Sequence, residues 1–117
     1  MEKIAAFDID GTLAEGPFSP DKIESLRARP EVVKTLRLLL KAGYRISVVT
    51  ARPDHFRGAT ERWLRGNAIP YHYLTMRRSG DNRPDAVLRA EQSRGASILF
   101  DDKPENCSRS LVKCVRV

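Results

Sequence analysis

The stretch IAAFDIDGT, residues 4–12, decides the fold of this chain. Its apolar run ends directly at acidic residues, which is typical of a buried strand in a parallel sheet. Asp8 and Asp10 stand at the carboxyl end of this strand, and Gly11 favours a turn after them. Functional side chains of open α/β sheets gather beyond the carboxyl ends of the central strands. The stretch therefore predicts a central strand that delivers two carboxylates to a site.

The rest of the chain alternates between strand and helix patterns. The predicted strands after the first are Tyr44–Thr50, Tyr71–Met76, Ser97–Phe100 and Lys113–Val117. The predicted helices begin at Pro30, Asp54, Pro84 and Pro104, and residues 15–30 show no periodicity. This alternation predicts an α/β fold with a five-stranded, mainly parallel, Rossmann-like sheet and helices on both faces. The length of 117 residues leads us to expect a single domain over residues 1–117.

The net charge of +6 is unevenly distributed along the chain. Residues 1–51 carry 8 basic and 7 acidic side chains, whereas residues 52–117 carry 13 and 8. A basic surface attracts polyanions such as nucleic acid, although a purely solubilising surface has the same composition. The charge pattern thus favours nucleic-acid ends as partners without requiring them.

The cellular compartment is predicted from the cysteines and from hydropathy. Cys107 and Cys114 form no disulfide framework and no CxxC metal motif, so both are expected to be reduced thiols that pack as small apolar side chains. No apolar run approaches the roughly 20 residues of a membrane span, and no signal peptide is evident. A cytoplasmic protein without membrane association is the expectation.

Acidic and phosphate-binding residue types stand at the ends of three predicted strands. Asp8 and Asp10 end the first, Thr50 ends the second, and Asp101 and Asp102 end the fourth. Carboxylates packed together raise one another's pKa, and a divalent cation relieves this crowding. Carboxylate and carbonyl oxygens suit Mg²⁺. The sequence therefore predicts a Mg²⁺ site formed by Asp8, Asp10, Asp101 and Asp102.

These three motifs, in this order, resemble those of the haloacid dehalogenase (HAD) superfamily. The resemblance implies a phosphatase in which Asp8 is a covalent nucleophile that forms an aspartyl-phosphate and Asp10 is the general acid and base. It implies that Thr50 hydrogen-bonds the transferring phosphoryl group. It also implies that Asp101 and Asp102 complete the Mg²⁺ site with Asp8 and the Asp10 carbonyl group.

The chain is also similar to the phosphatase domain of phage-type polynucleotide kinase-phosphatase. This similarity rests on MRRSGDNRPDAVLRAE, TAR and FDDKPE, at residues 76–91, 50–52 and 100–105. It implies that Arg52, with Ala51 beside it, and Arg77 contact the terminal phosphate of the substrate, a task for which bidentate arginine is well suited. No GxxxxGK[ST] kinase motif is found in this sequence.

One position departs from the family pattern. The HAD superfamily has a lysine in its third motif, which pairs with the nucleophile and the phosphoryl oxygens. Alignment places Arg89 there, and Arg83 and Lys103 are the other candidates because both lie next to motif residues. Arginine supplies the same charge in a bulkier, planar group.

The short spans between motifs predict a domain without a cap over the site. An open site admits a macromolecular end or is covered by a second subunit of a homo-oligomer. The leading hypothesis is a phosphomonoesterase acting on a nucleic-acid 3′-phosphate end or a nucleotide. Two alternatives remain open: a small-metabolite or sugar phosphatase, and a catalytically weak module that binds phosphorylated partners.

Overall fold

A computed structural model describes residues 2–117 of the chain as one five-stranded sheet with helices packed on it. The strands are β1 (Ile4–Asp8), β2 (Arg45–Pro53), β3 (Tyr73–Arg77), β4 (Ile98–Asp101) and β5 (Lys113–Arg116). The helices are α1 (Pro30–Lys41), α2 (Arg57–Gly66), α3 (Asp85–Gln92) and α4 (Pro104–Ser108). Two 3₁₀ helices cover Pro20–Ser25 and Asp54–Phe56. Within residues 2–117, no helix combines the length and the apolar character needed to cross a membrane.

The sheet has the strand order β3-β2-β1-β4-β5, and all four strand pairs are parallel. The first strand is central, as predicted, with β2 on one side and β4 on the other. Asp8 at the end of β1 lies opposite Val49 of β2, and Phe7 lies opposite Phe100 of β4. The carboxyl ends of three neighbouring strands therefore meet at one edge, which confirms the predicted fold class.

The two faces of β1 are covered differently because its side chains alternate between them. Ala5 and Phe7 face the larger core, which α1 and α2 complete with Leu36, Trp63 and others. Ala6 faces a smaller cluster on the opposite side. Asp8 has the same parity as Ala6, and it meets α3 on that side of the sheet. Arg89 of α3 thus reaches the end of β1 from this side of the sheet.

Several predicted boundaries are corrected by the structure. β2 continues to Pro53, past Thr50, with a register shift against β3 between Val49 and Pro53. Asp54 begins a 3₁₀ helix that precedes α2. Pro84 lies just before α3 because its backbone is extended, with φ −54° and ψ 146°. These differences lie at the edge of the sheet where the predicted site residues stand. At this edge, loops in place of regular strands provide hydrogen-bond partners for the backbone.

The prediction of two reduced cysteines is wrong for this structure. Cys107 of α4 and Cys114 of β5 form a disulfide with an S–S distance of 2.08 Å. Their Cα atoms are 5.3 Å apart because α4 turns back onto the edge strand, and this separation is within the range a disulfide requires. Both residues are only partly buried. The expectation of a reducing compartment loses the support it drew from these residues.

The two faces of α1 provide a direct test of the core. Leu36 is fully buried in the large cluster, whereas Leu38, two residues later, is 59% exposed. We expect Leu36→Ala to lower the free energy of unfolding by about 2–5 kcal/mol, because it leaves a cavity. The control Leu38→Ala is expected to change it by about 0.5 kcal/mol or less. Urea denaturation measures both, and equal losses would contradict this assignment of the buried face.

Candidate active site

A cleft of about 530 Å³ opens at the carboxyl ends of β1, β2 and β4. It brings together most of the predicted site residues. Its lining residues include Asp8, Asp10, Thr50, Ala51, Arg52, Asp85, Arg89, Asp102, Lys103 and Asn106. The loop after β1 forms another wall, from Gly16 to Phe18. Topology alone explains this convergence, because β1 is flanked by the two other strands whose ends carry polar motifs.

Three carboxylates cluster where β1 and β4 end, and two of them, Asp8 and Asp102, line the cleft. Asp8, Asp101 and Asp102 each offer an oxygen, and these oxygens lie within 4.8 Å of one another. Thr12 bridges two of them: its Oγ1 lies 3.1 Å from Oδ2 of Asp8 and 3.2 Å from Oδ1 of Asp102. Burial raises the pKa of Asp8 well above its ordinary value; Arg89 lowers it, and Asp101 and Asp102 raise it further. The cluster therefore carries more negative charge than its burial tolerates without cations.

Gly11 is required by the position of Asp102. Its φ of +87° lies in the left-handed region that favours glycine. A Cβ atom at this position would lie 2.1 Å from Oδ2 of Asp102, which is shorter than any real contact. The glycine of the DIDGT motif thus allows the chain to turn and lets the second aspartate of the DD pair approach the backbone.

Arg89 is the cation that meets the predicted nucleophile. Its Nη1 lies 2.9 Å from Oδ1 of Asp8 and also bonds Asp101, and its side chain is 3% exposed. Burial lowers the pKa of Arg89, but the charges of Asp8 and Asp101 outweigh this and hold the pKa above its ordinary value. The geometry therefore agrees with the alignment that placed Arg89 at the third motif.

The two other third-motif candidates lie elsewhere. Lys103 lines the cleft, but its Nζ lies 3.4 Å from Asp85 and its side chain is 51% exposed. Arg83 is outside the cleft and bonds Asp81 and Glu91. Arg83 lies in the loop before α3 and does not line this cleft, so its role in substrate binding stays a prediction.

Arg52 and Asp10 hold each other in a bidentate pair. Nε and Nη2 of Arg52 lie 2.9 and 2.7 Å from the two carboxylate oxygens of Asp10. Nη1 of Arg52 donates to Thr60 at 3.1 Å, and its guanidinium lies 4.9 Å from the centre of the Phe18 ring. The Asp10 carboxylate is thereby held away from the acidic cluster, so only its backbone carbonyl remains as a candidate metal ligand.

Arg77 does not line the cleft, so its contact with phosphate stays a prediction without support from this geometry. Its Nε donates to the Ala51 carbonyl at 3.2 Å, and its Nη2 lies 2.6 Å from Oδ1 of Asp85. Its Nη1 donates to the carbonyls of Asp81 and Arg83, both at 2.9 Å. Arg77 instead ties the carboxyl end of β2 to the loop before α3 and to the first residue of that helix.

Sequence reasoning missed several residues that shape the cleft. Nδ2 of Asn106 donates to Asp101 at 3.0 Å from inside α4, and Asp85 pairs with Lys103 at the rim. Gln92 contacts both Arg89 and the backbone of Thr50. The helical spacing of Asp85 and Gln92 from Arg89 could have placed them on the same face of α3. Asn106 had no comparable signal, because the path of α4 decides its contact.

The residues present fit a hard divalent cation. The donor set is three carboxylates, and oxygen ligands of this kind suit Mg²⁺. One oxygen of Asp8 faces Arg89, and the single hydroxyl proton of Thr12 can be donated either to Asp8 or to Asp102. Asp102 therefore has free acceptor capacity, and Asp8 would share its oxygens between the cation and its protein partners.

Comparisons with known proteins agree with this fold. Chains from two structures of the Pnkp1/Rnl/Hen1 complex, one of them described as an RNA repair complex, are each 24% identical to this chain. Their TM-scores are 0.88 and 0.89, and they cover 100% and 99% of this chain. This chain spans less than half of either, 46% and 42%. A HAD-like phosphatase structure from Mesorhizobium loti has a TM-score of 0.66 at 16% identity, covering 92% of this chain and 66% of its own.

The family itself is shown by a sequence model. No curated protein matches the chain. The family model described as the polynucleotide kinase PNKP phosphatase domain matches residues 2–95. This range includes β1, β2 and α3, which carry Asp8, Arg52 and Arg89. This match covers well over half of the chain. The chain therefore belongs to the family of the polynucleotide kinase PNKP phosphatase domain and is a HAD-type phosphatase.

Proposed function

We propose that this domain is a Mg²⁺-dependent phosphomonoesterase that acts through an aspartyl-phosphate on Asp8. The observation that carries the proposal is the position of Asp8 in the cleft, 2.9 Å from the buried Arg89 guanidinium and within the acidic cluster. A carboxylate so placed can attack a phosphoryl group whose negative charge is met by fixed cations. Mg²⁺ held by Asp8, Asp101, Asp102 and the Asp10 carbonyl would supply further charge neutralisation.

Attack by Asp8 forms an O–P bond while the bond to the leaving oxygen breaks. Asp10 is the candidate donor of the proton that this oxygen needs, because its carboxylate also lines the cleft. A water molecule then attacks phosphorus in the aspartyl-phosphate, and Asp10 takes a proton from it. This releases inorganic phosphate and restores Asp8. In this structure Arg52 holds both oxygens of Asp10, so one of them must leave Arg52 to carry the proton.

Thr50 and Arg89 are proposed to contact the transferring phosphoryl group. Thr50 is 1% exposed at the cleft, and its Oγ1 accepts from the Arg52 backbone N–H at 3.1 Å. Its hydroxyl proton therefore remains to be donated toward the cleft. Lys103 at the rim supplies a further positive charge. Direct contact between Arg89 and Asp8 supports an enzyme over a catalytically weak binding module.

The favoured substrate is a phosphate at the end of a nucleic acid, or a nucleotide. Between β1 and α1 the described residues contain only the 3₁₀ helix Pro20–Ser25, so no cap covers the cleft there. An open cleft admits a chain end, and the basic excess of residues 52–117 attracts its backbone. The similar chains come from a complex described as acting in RNA repair. The expected homo-oligomer stays a prediction.

The nucleophile is tested by Asp8→Asn. We expect turnover of an aryl phosphate to fall by about 10³-fold or more, because an amide cannot attack phosphorus. The nearly isosteric change should leave the circular dichroism spectrum unchanged. Asp21→Asn, an exposed aspartate in the first 3₁₀ helix, is the matched control and is expected to keep full activity. A turnover within tenfold of wild type would exclude the covalent mechanism.

The metal is tested through stability as well as activity. Mg²⁺ binds the folded cluster and not the unfolded chain, so it should raise the melting temperature and restore activity lost in a chelator. Asp102→Asn is expected to abolish this Mg²⁺-dependent rise, whereas Asp21→Asn should retain it. Scanning fluorimetry in a Mg²⁺ titration measures both. An unchanged rise in Asp102→Asn would place the ion elsewhere.

The substrate class is tested by kcat/KM across a salt series. A 3′-phosphorylated oligonucleotide is compared with a mononucleotide and a sugar phosphate. Each single-strand phosphate contact contributes about −0.7 to the log–log salt slope, so two or three contacts give about −2. The two small substrates should show much shallower slopes. Equal efficiency on all three would instead support the small-metabolite phosphatase.

A further inference from the structure

The Arg89 guanidinium has a second partner that faces away from the acids. Its Nε lies 3.1 Å from Oε1 of Gln92. The two residues are three positions apart on α3, so their side chains lie on one face of the helix. Gln92 is therefore placed to fix how the guanidinium plane is rotated while Nη1 of Arg89 remains 2.9 Å from Asp8.

The other end of the Gln92 amide is tied to the neighbouring strand. Its Nε2 donates to the Thr50 carbonyl at 2.8 Å. A carbonyl oxygen can only accept and a guanidinium can only donate, so just one orientation of the amide satisfies both partners. The side chain thus links α3, which carries the cation, to the end of β2, which carries the Thr50 hydroxyl.

This arrangement suits arginine and not lysine. Arginine has an Nε–H donor partway along its side chain in addition to its terminal N–H groups, whereas lysine carries all its donors on Nζ. A lysine whose ammonium reached Asp8 would leave Oε1 of Gln92 without its present donor. Residue 89 is an arginine in this chain, and its Nε–H donor is the one that Gln92 accepts.

We propose that Gln92 is a positioning residue matched to the arginine at position 89. By holding Nε, it directs Nη1 toward Asp8 and the phosphoryl oxygens, and it fixes Arg89 relative to the Thr50 strand end. The proposal rests on the proposed function, in which Arg89 neutralises the transferring phosphoryl group. Arg89 and Gln92 then act as one unit, and the effect of each depends on the other.

A double-mutant cycle tests this dependence, using Gln92→Leu, Arg89→Lys and the double variant. In the arginine background, Gln92→Leu should lower kcat/KM for an aryl phosphate by about tenfold, the effect of losing one hydrogen bond to a charged group. In the lysine background, the same change should alter kcat/KM by about twofold or less, because the contact is already absent. Arg94→Gln, an exposed change just after α3, is the control.

Equal losses from Gln92→Leu in both backgrounds would overturn the proposal, since a purely structural role for Gln92 is indifferent to the residue at 89. No loss in the arginine background would overturn it as well. Should Gln92→Leu melt below the assay temperature, Gln92→Met replaces it under the same criterion. The dissociation constant of inorganic phosphate, measured by calorimetry for the same four proteins, should show the same non-additivity without turnover. A wild type that binds phosphate but does not hydrolyse would contradict the proposed function and still decide the role of Gln92.

Discussion

The structure depends on the compensation of buried negative charge by one buried arginine. Asp8 and Asp101 are removed from water, and Arg89 contacts both. An unpaired charge at such depth costs several kcal/mol, so removing either partner from this ion pair is far more disruptive than loss of a surface pair. The same arrangement that makes the acids tolerable also places a cation beside a candidate nucleophile. The stability of the fold and the proposed chemistry therefore both require Arg89 of α3 at this position.

Sheet order is what makes this compensation possible. β1 lies between β2 and β4, so the acids of two neighbouring strands meet at one edge. The face of β1 that carries Asp8 also carries Ala6, which is buried in the smaller apolar cluster. The opposite face buries Phe7 in the larger core and anchors the strand. The sheet thus holds Asp8 and Asp101 close together although their like charges repel.

Asp10, the second aspartate of the DxD motif, is bound by a residue of another element. Arg52 takes both oxygens of Asp10 and is itself held by Thr60 and Phe18. The two carboxylates of the DxD motif therefore occupy different electrostatic environments, one beside Arg89 and the acids, the other beside Arg52. This separation gives each of the two carboxylates its own arginine partner. This separation arises because β2 extends beyond the end of β1 and carries Arg52 there.

The sequence by itself determined the parallel α/β fold, the central first strand and the convergence of Asp8 and Asp101 at one edge, because apolar strand patterns and strand-end residues are local signals. Whether Arg89, Arg83 or Lys103 contacts Asp8 was decided only by the packing of α3 against the sheet. Tertiary structure also decided that Arg77 does not line the cleft. The Cys107–Cys114 bond likewise depends on how α4 returns to the edge strand. These outcomes depend on distances in three dimensions, which residue patterns do not encode even where, as for the two cysteines, the residues are seven positions apart.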